Sequence, residues 1–147
     1  MKKYLLWALL IIFLGSCSHR EDIVNADFRN INSDGWVYGD TLCFDMPCDS
    51  SATSSGLLIA VRHSGSYRYA NLWLEVTAPG VDGVCRDTMN IKLYDKYGRN
   101  LGHGTGVSFV RTDTVGHRIA PCGEVTVRHI MRVDTLDGIE QIGVLRF

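Results

Sequence analysis

The sequence lacks two features that would quickly assign it to a class of protein. Its longest apolar run, Tyr4–Leu14, has eleven residues, whereas a helix that crosses a bilayer needs about 20. Its 15 Lys and Arg residues are outnumbered by 16 Asp and Glu residues, and they form no basic stripe of the kind that binds nucleic acid. The chain is therefore predicted neither to cross a membrane with a helix nor to bind DNA or RNA.

Motifs of catalysis and of metal binding are also missing. The sequence contains no GxSxG elbow, no catalytic Cys-His signature, and no HxH or HExxH pair. His63 and His129 fall on the apolar positions of alternating segments, so we interpret them as residues of the core or of a sheet edge. We therefore predict no enzyme, no metal and no cofactor. Carboxylate pairs of glycoside hydrolases are defined by their separation in space, so the sequence leaves that alternative open.

The glycine-rich segment Gly98–Gly106 has a superficial likeness to a phosphate-binding loop. It lacks the Lys-Ser/Thr ending and does not open a helix, so its amides have no helix dipole to align with. We interpret it as a long hairpin loop. Asp95, just before it, is predicted to be a turn residue whose carboxylate accepts hydrogen bonds from backbone amides two positions on.

The N-terminus has the pattern of a lipoprotein signal peptide. Lys2 and Lys3 precede the apolar run Tyr4–Leu14, whose length is that of a signal-peptide hydrophobic region. The run ends in Leu14-Gly15-Ser16-Cys17, which resembles a lipobox and predicts a diacylglycerol on Cys17. Cleavage would free the amine for a further acyl chain such as palmitate, and two or more chains anchor a protein stably. The alternative is an ordinary secretory signal that a cysteine happens to follow.

This pattern predicts three segments. Residues 1–16 are the signal peptide, residues 17–24 are the lipidated cysteine with a short tether, and residues 25–147 are one folded domain. Within the tether, Arg20-Glu21-Asp22 resembles in part the acidic export signal of surface lipoproteins. We therefore expect a lipid-anchored envelope protein at the outer membrane, and the sequence leaves open whether its domain faces the periplasm or the cell surface.

Four cysteines remain once Cys17 carries lipid, namely Cys43, Cys48, Cys85 and Cys122. An even number in an exported protein favours disulfides, because the envelope is oxidising. Four cysteines allow three pairings. Cys85 and Cys122 each begin a predicted strand after a turn, which favours that pair and leaves Cys43 and Cys48 bridged locally or reduced. The spacings do not fit a zinc cluster.

Apolar and polar residues alternate with a period of two along most of the chain, and no segment shows a long helical period. Turn residues such as Ser33-Asp34-Gly35 and Ala78-Pro79-Gly80 separate the alternating segments. This pattern predicts an all-β fold, a single antiparallel β-sandwich of jelly-roll type with about eight strands. The predicted strands are Ala26–Ile31, Asp40–Met46, Leu57–His63, Tyr69–Thr77, residues 88–94, Val107–Arg111, residues 125–133 and Ile142–Phe147.

One predicted strand carries aromatic residues on the side opposite its aliphatic set. Tyr67, Tyr69, Asn71, Trp73 and Glu75 share this parity, whereas the aliphatic residues occupy the alternate positions. An exposed row of this kind binds sugars or a partner protein, because aromatic side chains bury a large area at low entropic cost. The alternative is that the domain's own chain covers the row, and the apolar strands on either side favour that second interpretation.

Four stretches of the chain resemble one known family, in the expected order and behind a lipobox. They are DGWVYGDTLCFDMP (34–47), LLIAVRHSGSYRYANLWLEV (57–76), DTMNIKLYDKYGRNLGHGTG (87–106) and GEVTVRHIMRVDTLDGIEQIGV (123–144). These stretches are similar to the gliding motility lipoprotein GldH family of Bacteroidetes. The resemblance implies a non-catalytic structural or assembly role in the gliding machinery of the envelope. Its partners would be the membrane and other envelope or motility proteins, and the alternative function is glycan binding through the aromatic face.

The lipobox gives a direct prediction for the substitution Cys17→Ala. This change should abolish lipid attachment and leave unprocessed precursor, because the sulfur is the point of acylation. Detergent-phase partitioning and intact mass measure both effects. A processed protein that still partitions into the detergent phase would contradict the assignment of the lipobox.

Overall fold

The computed structural model describes residues 23–48, 56–80, 83–116, 119–120 and 122–147. The predicted signal peptide, Cys17 and most of the tether lie outside these residues. The described residues form eleven strands and no helix, and they therefore contain no helix capable of crossing a bilayer. The strands are β1 (Asn25–Asn30), β2 (Trp36–Val37), β3 (Leu42–Met46), β4 (Leu57–Ser64), β5 (Asn71–Gly80), β6 (Gly83–Lys92), β7 (His103–Thr105), β8 (Ser108–Thr114), β9 (Gly123–His129), β10 (Thr135–Leu136) and β11 (Ile139–Arg146).

The strands assemble into three antiparallel sheets. A five-stranded sheet has the order β1-β11-β4-β8-β7, a four-stranded sheet has the order β3-β9-β5-β6, and β10 pairs with β2. The predicted all-β antiparallel class is confirmed. The described residues contain more strands than the eight or so expected, and β2, β7 and β10 have only two or three residues each. Strands this short carry too few residues for a period-two signal.

The two larger sheets enclose one apolar core, and the alternation along the strands determines which residues enter it. On β5, Leu72, Leu74 and Val76 are fully buried, because alternate side chains of a strand point to the same face. The five-stranded sheet contributes residues from β4 and β11, such as Ile59 and Ile142, to the same cluster. The core thus fixes which side of each sheet faces outward.

A single disulfide, Cys48–Cys122, is present in the described residues, with Cα atoms 4.9 Å apart. The expectation of a disulfide is confirmed, but the predicted pair Cys85–Cys122 is wrong. Met46 at the end of β3 pairs with Gly123 at the start of β9, so the residues just beyond them meet. Cys85 and Cys43 are free thiols.

The strand order explains why Cys85 does not reach Cys122. Cys85 lies on β6 opposite Ala78 of β5, and β9 lies on the other side of β5. Neighbouring strands are about 4.8 Å apart, so two strand spacings separate the two cysteines by roughly 9–10 Å. A disulfide requires Cα atoms less than about 7 Å apart. The correct pairing depends on a strand order that the cysteine spacing does not encode.

The disulfide predicts a specific pattern of stability and thiol reactivity. Cys122→Ala should lower the free energy of unfolding by about 2–5 kcal/mol, as the loss of a native disulfide does in small exported domains. Cys43→Ala, at an exposed free thiol, is the matched control and should leave the unfolding midpoint in urea nearly unchanged. Non-reducing peptide mapping should recover Cys48 linked to Cys122. Recovery of a Cys85–Cys122 peptide would contradict the structure.

Candidate binding groove

The first half of β5 places Trp73 on the outer surface of the four-stranded sheet. Leu72 and Leu74 point into the core, and Trp73 between them points outward with 40% of its surface exposed. The prediction that this strand lies in the middle of its sheet is correct, since β5 lies between β9 and β6. The domain's own chain therefore covers the indole only in part.

The neighbouring strand β9 ends beside Trp73. The pairing between β5 and β9 runs from Thr77 opposite Thr126 to Leu74 opposite His129. Beyond His129 the chain leaves the sheet, and the amide of Ile130 still donates to the carbonyl of Trp73 at 3.0 Å. Residues 130–133 therefore form a wall beside β5. A continued strand would instead have lain in the plane of the sheet.

A groove lies between this wall and the start of β5, and we name it the Trp73 groove. Its volume is about 530 Å³, within the range of about 300–1,000 Å³ that small-molecule sites occupy. The lining combines two aromatic rings, an apolar wall, one amide and one guanidinium. The lining residues are Tyr69, Asn71, Trp73, Ile130, Met131, Arg132 and Val133.

Tyr67, which was predicted to belong to the exposed aromatic row, is instead a core residue. Only 4% of its surface is exposed, and its hydroxyl donates to the carbonyl of Asn71 at 2.9 Å. Burial is the main reason why the pKa of Tyr67 is raised above its ordinary value. Strand β5 begins at Asn71, so strand parity does not extend back to Tyr67. Of the four residues Tyr67, Tyr69, Asn71 and Trp73, the last three therefore remain as the candidate binding face. The phenol of Tyr67 lies in the core and its hydroxyl bonds to the backbone at the start of β5.

Polar contacts order the surface around the indole. Asn71 donates to the side chain of Asn90 on β6 at 2.6 Å. Glu75 lies two residues after Trp73 and on the same face. Its carboxylate accepts a hydrogen bond from Arg128 at 2.8 Å and lies 3.6 Å from Arg86. The hydrogen bond and charge of Glu75 raise the pKa of Arg128. Ion pairs therefore occupy the carboxylate nearest Trp73 on β5, which makes Glu75 a structural residue of this face.

The histidines that the sequence assigned to the core are buried there. His63 and His129 expose 0% and 1% of their surfaces. The Nε2 of His129 donates to the carbonyl of Trp36 at 3.1 Å, and the Nδ1 of His63 donates to the carbonyl of Ser64 at 3.1 Å. Among the described residues, no group of three or more His, Cys, Asp and Glu side chains is arranged to hold a metal ion.

Asp95 is the turn residue that the sequence predicted. One of its carboxylate oxygens accepts from the amides of Tyr97 at 2.8 Å and Arg99 at 2.9 Å. The amide of Arg99 is the largest cause of the lowered pKa of Asp95. The segment Gly98–Gly106, which the sequence indicated to be a long hairpin loop, contains the short strand β7, and that strand forms a hairpin with β8. The expected loop is therefore shorter than predicted.

The wall of the groove is the part that sequence reasoning missed. Alternation continues from Val125 to Val133 and predicted one long strand, but β9 ends at His129. The turn dipeptide Asp137-Gly138 begins eight residues beyond His129, so it does not mark the end of β9. Gly138, with a φ of +84°, lies in the turn between β10 and β11, and β10 pairs with β2.

Comparison with known proteins assigns the chain to a family. The family model described as GldH lipoprotein matches residues 23–145. The chain belongs to the GldH lipoprotein family. This membership confirms the resemblance seen in the sequence, and it implies that this GldH-family protein is a lipid-anchored, gliding-motility-associated protein of the cell envelope.

Other comparisons are weak. No curated protein matches the chain. Among solved structures, dimeric latent PorU from Porphyromonas gingivalis aligns with 90% of this chain at 12% identity and a TM-score of 0.31. The aligned part is 13% of the PorU chain.

The buried histidines predict a loss of stability in mild acid. Burial lowers the pKa of both His63 and His129 below the ordinary value of 6.5. The Nδ1 of His129 also has no hydrogen-bond partner among the described atoms, so protonation would create a buried, unpaired donor. Between the folded and unfolded pKa values the unfolded chain binds more protons, so the stability is fully present above about pH 6.5 and declines below it.

The measurement is the free energy of unfolding between pH 7.5 and pH 5. Each histidine should contribute a loss of at most about 1.4 kcal/mol per pH unit over this window. His129→Gln should reduce the slope, whereas His103→Gln, at an exposed position on β7, should leave it unchanged. A flat profile in the native protein would contradict the prediction.

Proposed function

We propose that this protein is a non-catalytic, membrane-anchored component of the gliding and envelope assembly machinery, and that it binds a partner protein through the Trp73 groove. The observation that carries the proposal is an indole 40% exposed in the middle of a rigid sheet, beside an apolar wall. Exposed tryptophan in a concave apolar site is typical of the residues that dominate binding energy at interfaces.

The chemistry of the groove favours binding over catalysis. Its lining offers aromatic, aliphatic and thioether surface with the amide of Asn71 and the guanidinium of Arg132. The neighbouring carboxylate of Glu75 is engaged by two arginines, which disfavours a role as general acid or base. A segment of a partner protein with an apolar side chain flanked by an acidic residue would match this lining.

A surface lipoprotein that binds glycans is the second candidate. The observation that favours it is the pair Asn71 and Asn90, joined at 2.6 Å beside the indole. Glycan sites combine an aromatic platform with amides that hydrogen-bond sugar hydroxyls, and this pair provides the second element. A glycan array probed with the intact protein distinguishes the two candidates.

We also propose that the sandwich is of jelly-roll type, and the strand order supports this proposal. Without the three shortest strands, the two sheets have the orders β1-β11-β4-β8 and β3-β9-β5-β6. Numbered one to eight along the chain, these are the orders 1-8-3-6 and 2-7-4-5, as in a jelly roll built of two Greek keys. The fold by itself does not assign a function.

We further propose the outer membrane as the site of anchoring. The acidic stretch Arg20-Glu21-Asp22 after the lipidation site supports this location. Protease treatment of intact cells then determines the orientation of the domain. Digestion in intact cells indicates the surface, and digestion only after lysis indicates the periplasm.

The substitution Trp73→Ala tests the groove. It should weaken partner capture by about 30-fold or more, which corresponds to about 2 kcal/mol at an interface hot spot. The measurement is crosslinking and pull-down from native membranes, followed by titration of the identified partner. Val84→Ala, at a residue 83% exposed near the opposite end of the same sheet, is the control and should bind like the wild type.

A melting curve separates this outcome from simple misfolding. An indole 40% exposed is not a full core residue, so Trp73→Ala should lower stability by less than the 3–5 kcal/mol or so expected for a buried tryptophan. A large drop in melting temperature, or undiminished partner capture, would reject the groove as the binding site.

A further inference from the structure

The outer face of the five-stranded sheet is apolar at one end. Strand register places Phe28 opposite Gly143 and Gly143 opposite Ala60, and in the next row it places Ala26, Leu145 and Leu58 side by side. Their parity is opposite to that of the core residues Ile59, Ile142 and Val144, so they face outward. Within the face, Ala60 (4% exposed) and Gly143 are themselves covered, and the exposed surface comes from the other four residues. We name this surface the Phe28 face, comprising Ala26, Phe28, Leu58, Ala60, Gly143 and Leu145.

The aromatic ring of Phe28 covers Gly143 of the neighbouring strand. A Cβ atom added at Gly143 would collide with the ring of Phe28, so the ring occupies the space above the glycine. Phe28 remains 44% exposed, and Ile23 and Val24, just before β1, are 42% and 48% exposed. Contiguous apolar surface of this kind on a soluble domain marks an interaction site or a membrane contact.

Charge distinguishes this face from the outer face of the other sheet. The six residues of the Phe28 face carry no charge. Elsewhere on the same outer side, Arg62 is charged, and at the opposite end of β11 the carboxylate of Glu140 accepts a hydrogen bond from the outward-facing Ser108 at 2.6 Å. On the outer side of the four-stranded sheet, every strand carries at least one charge and both signs are present. The charged residues are Asp45, Glu75, Arg86, Lys92, Glu124 and Arg128. Only the Phe28 face could approach lipid without desolvating a carboxylate.

The chain that follows Cys17 enters the domain at the same end of the molecule, through the start of β1. Seven residues lie between Cys17 and Asn25, and the eight steps from one to the other reach at most about 28 Å when extended. Ala26, Leu145 and Leu58 form the row nearest to where β1 begins, so the apolar end of the face is the end at which the anchored chain enters. The lipid would therefore keep this end of the domain within about 28 Å of the bilayer.

We propose that the Phe28 face rests on the bilayer to which Cys17 is anchored, with Phe28, Leu58 and Leu145 at the boundary between headgroups and acyl chains. The Trp73 groove lies on the other sheet, whose outer side then points away from the membrane, toward a partner. The proposal depends on the lipidation of Cys17 proposed above, so the intact mass of the purified protein is measured first. A purified protein without the mass of the lipid would contradict the lipidation of Cys17, and it would not contradict the contact of the Phe28 face with the bilayer.

The test uses the lipidated protein in vesicles of phosphatidylcholine and phosphatidylglycerol that contain a phospholipid with a diazirine in its acyl chain. After photolysis, trypsin releases residues 21–29, 133–146 and 87–92 as separate peptides. The peptide 133–146 contains Gly143 and Leu145 and is far from the anchor in sequence. It should carry the label, whereas residues 87–92, from the opposite sheet, should not.

A matched pair of exposed positions completes the test. Ala26→Asp adds a carboxylate to the Phe28 face and should reduce labelling of residues 133–146 at least about threefold, because a charge disfavours burial at the interface. Val84→Asp adds the same charge to the opposite sheet and should leave labelling unchanged. Labelling confined to residues 21–29, which the tether alone would produce, overturns the proposal and leaves the face to a partner protein. Equal labelling of both sheets also overturns it.

Discussion

The pairing of β5 with β9 is the interaction on which the rest of the structure depends. It covers four residue pairs, from Leu74 opposite His129 to Thr77 opposite Thr126. On its other side, β9 pairs with β3 through residues 123–127, and this pairing brings Cys122 to Cys48. At its Leu74 end the pairing of β5 with β9 stops, and the chain that leaves the sheet forms the wall of the Trp73 groove. One short ladder thus determines the position of the disulfide and that of the groove.

The burial of His129 follows from the same ladder. As the last residue of β9 it points inward, where its ring packs edge-on against Trp36 with centroids 5.2 Å apart. The residues that follow it carry the groove wall, so the buried imidazole lies directly beneath a proposed recognition surface. A change in its protonation would act first on its contacts with Trp36 and Tyr38, because these groups pack against the imidazole.

The sequence predicted the features that depend on local pattern and missed those that depend on contacts between distant segments. Alternation placed Leu72, Leu74 and Trp73 on their correct faces, and turn chemistry identified Asp95, since neither inference needs the strand order. Cys85 was paired wrongly because disulfide partners follow from which strands are neighbours, and the sheets mix strands distant in sequence. Tyr67 was misplaced because its segment is a turn, where the period of two does not apply.

The candidate site was predictable in part for the same reason. Tyr69, Asn71 and Trp73 share a strand face or its immediate approach, and alternation detects them. Ile130 to Val133 continue the apolar parity of β9 although they have left the sheet, so periodicity alone describes them as strand. The Phe28 face was not predicted at all, because it combines residues from three strands that meet only in the folded sheet.

The position of β1 has a mechanical consequence. It is an edge strand, bonded to β11 alone within its sheet, and Cys17, the proposed site of lipidation, precedes it in the chain. A load applied between the membrane and a partner in the Trp73 groove would enter the domain at Asn25 and reach the six paired residues of β1 first. Pulled along the strand, these pairs share the load in shear, whereas pulled sideways they open one after another. If the domain lies with the Phe28 face on the bilayer, β1 lies parallel to the membrane. A force parallel to the membrane can then act along β1, which is the direction that this strand resists best.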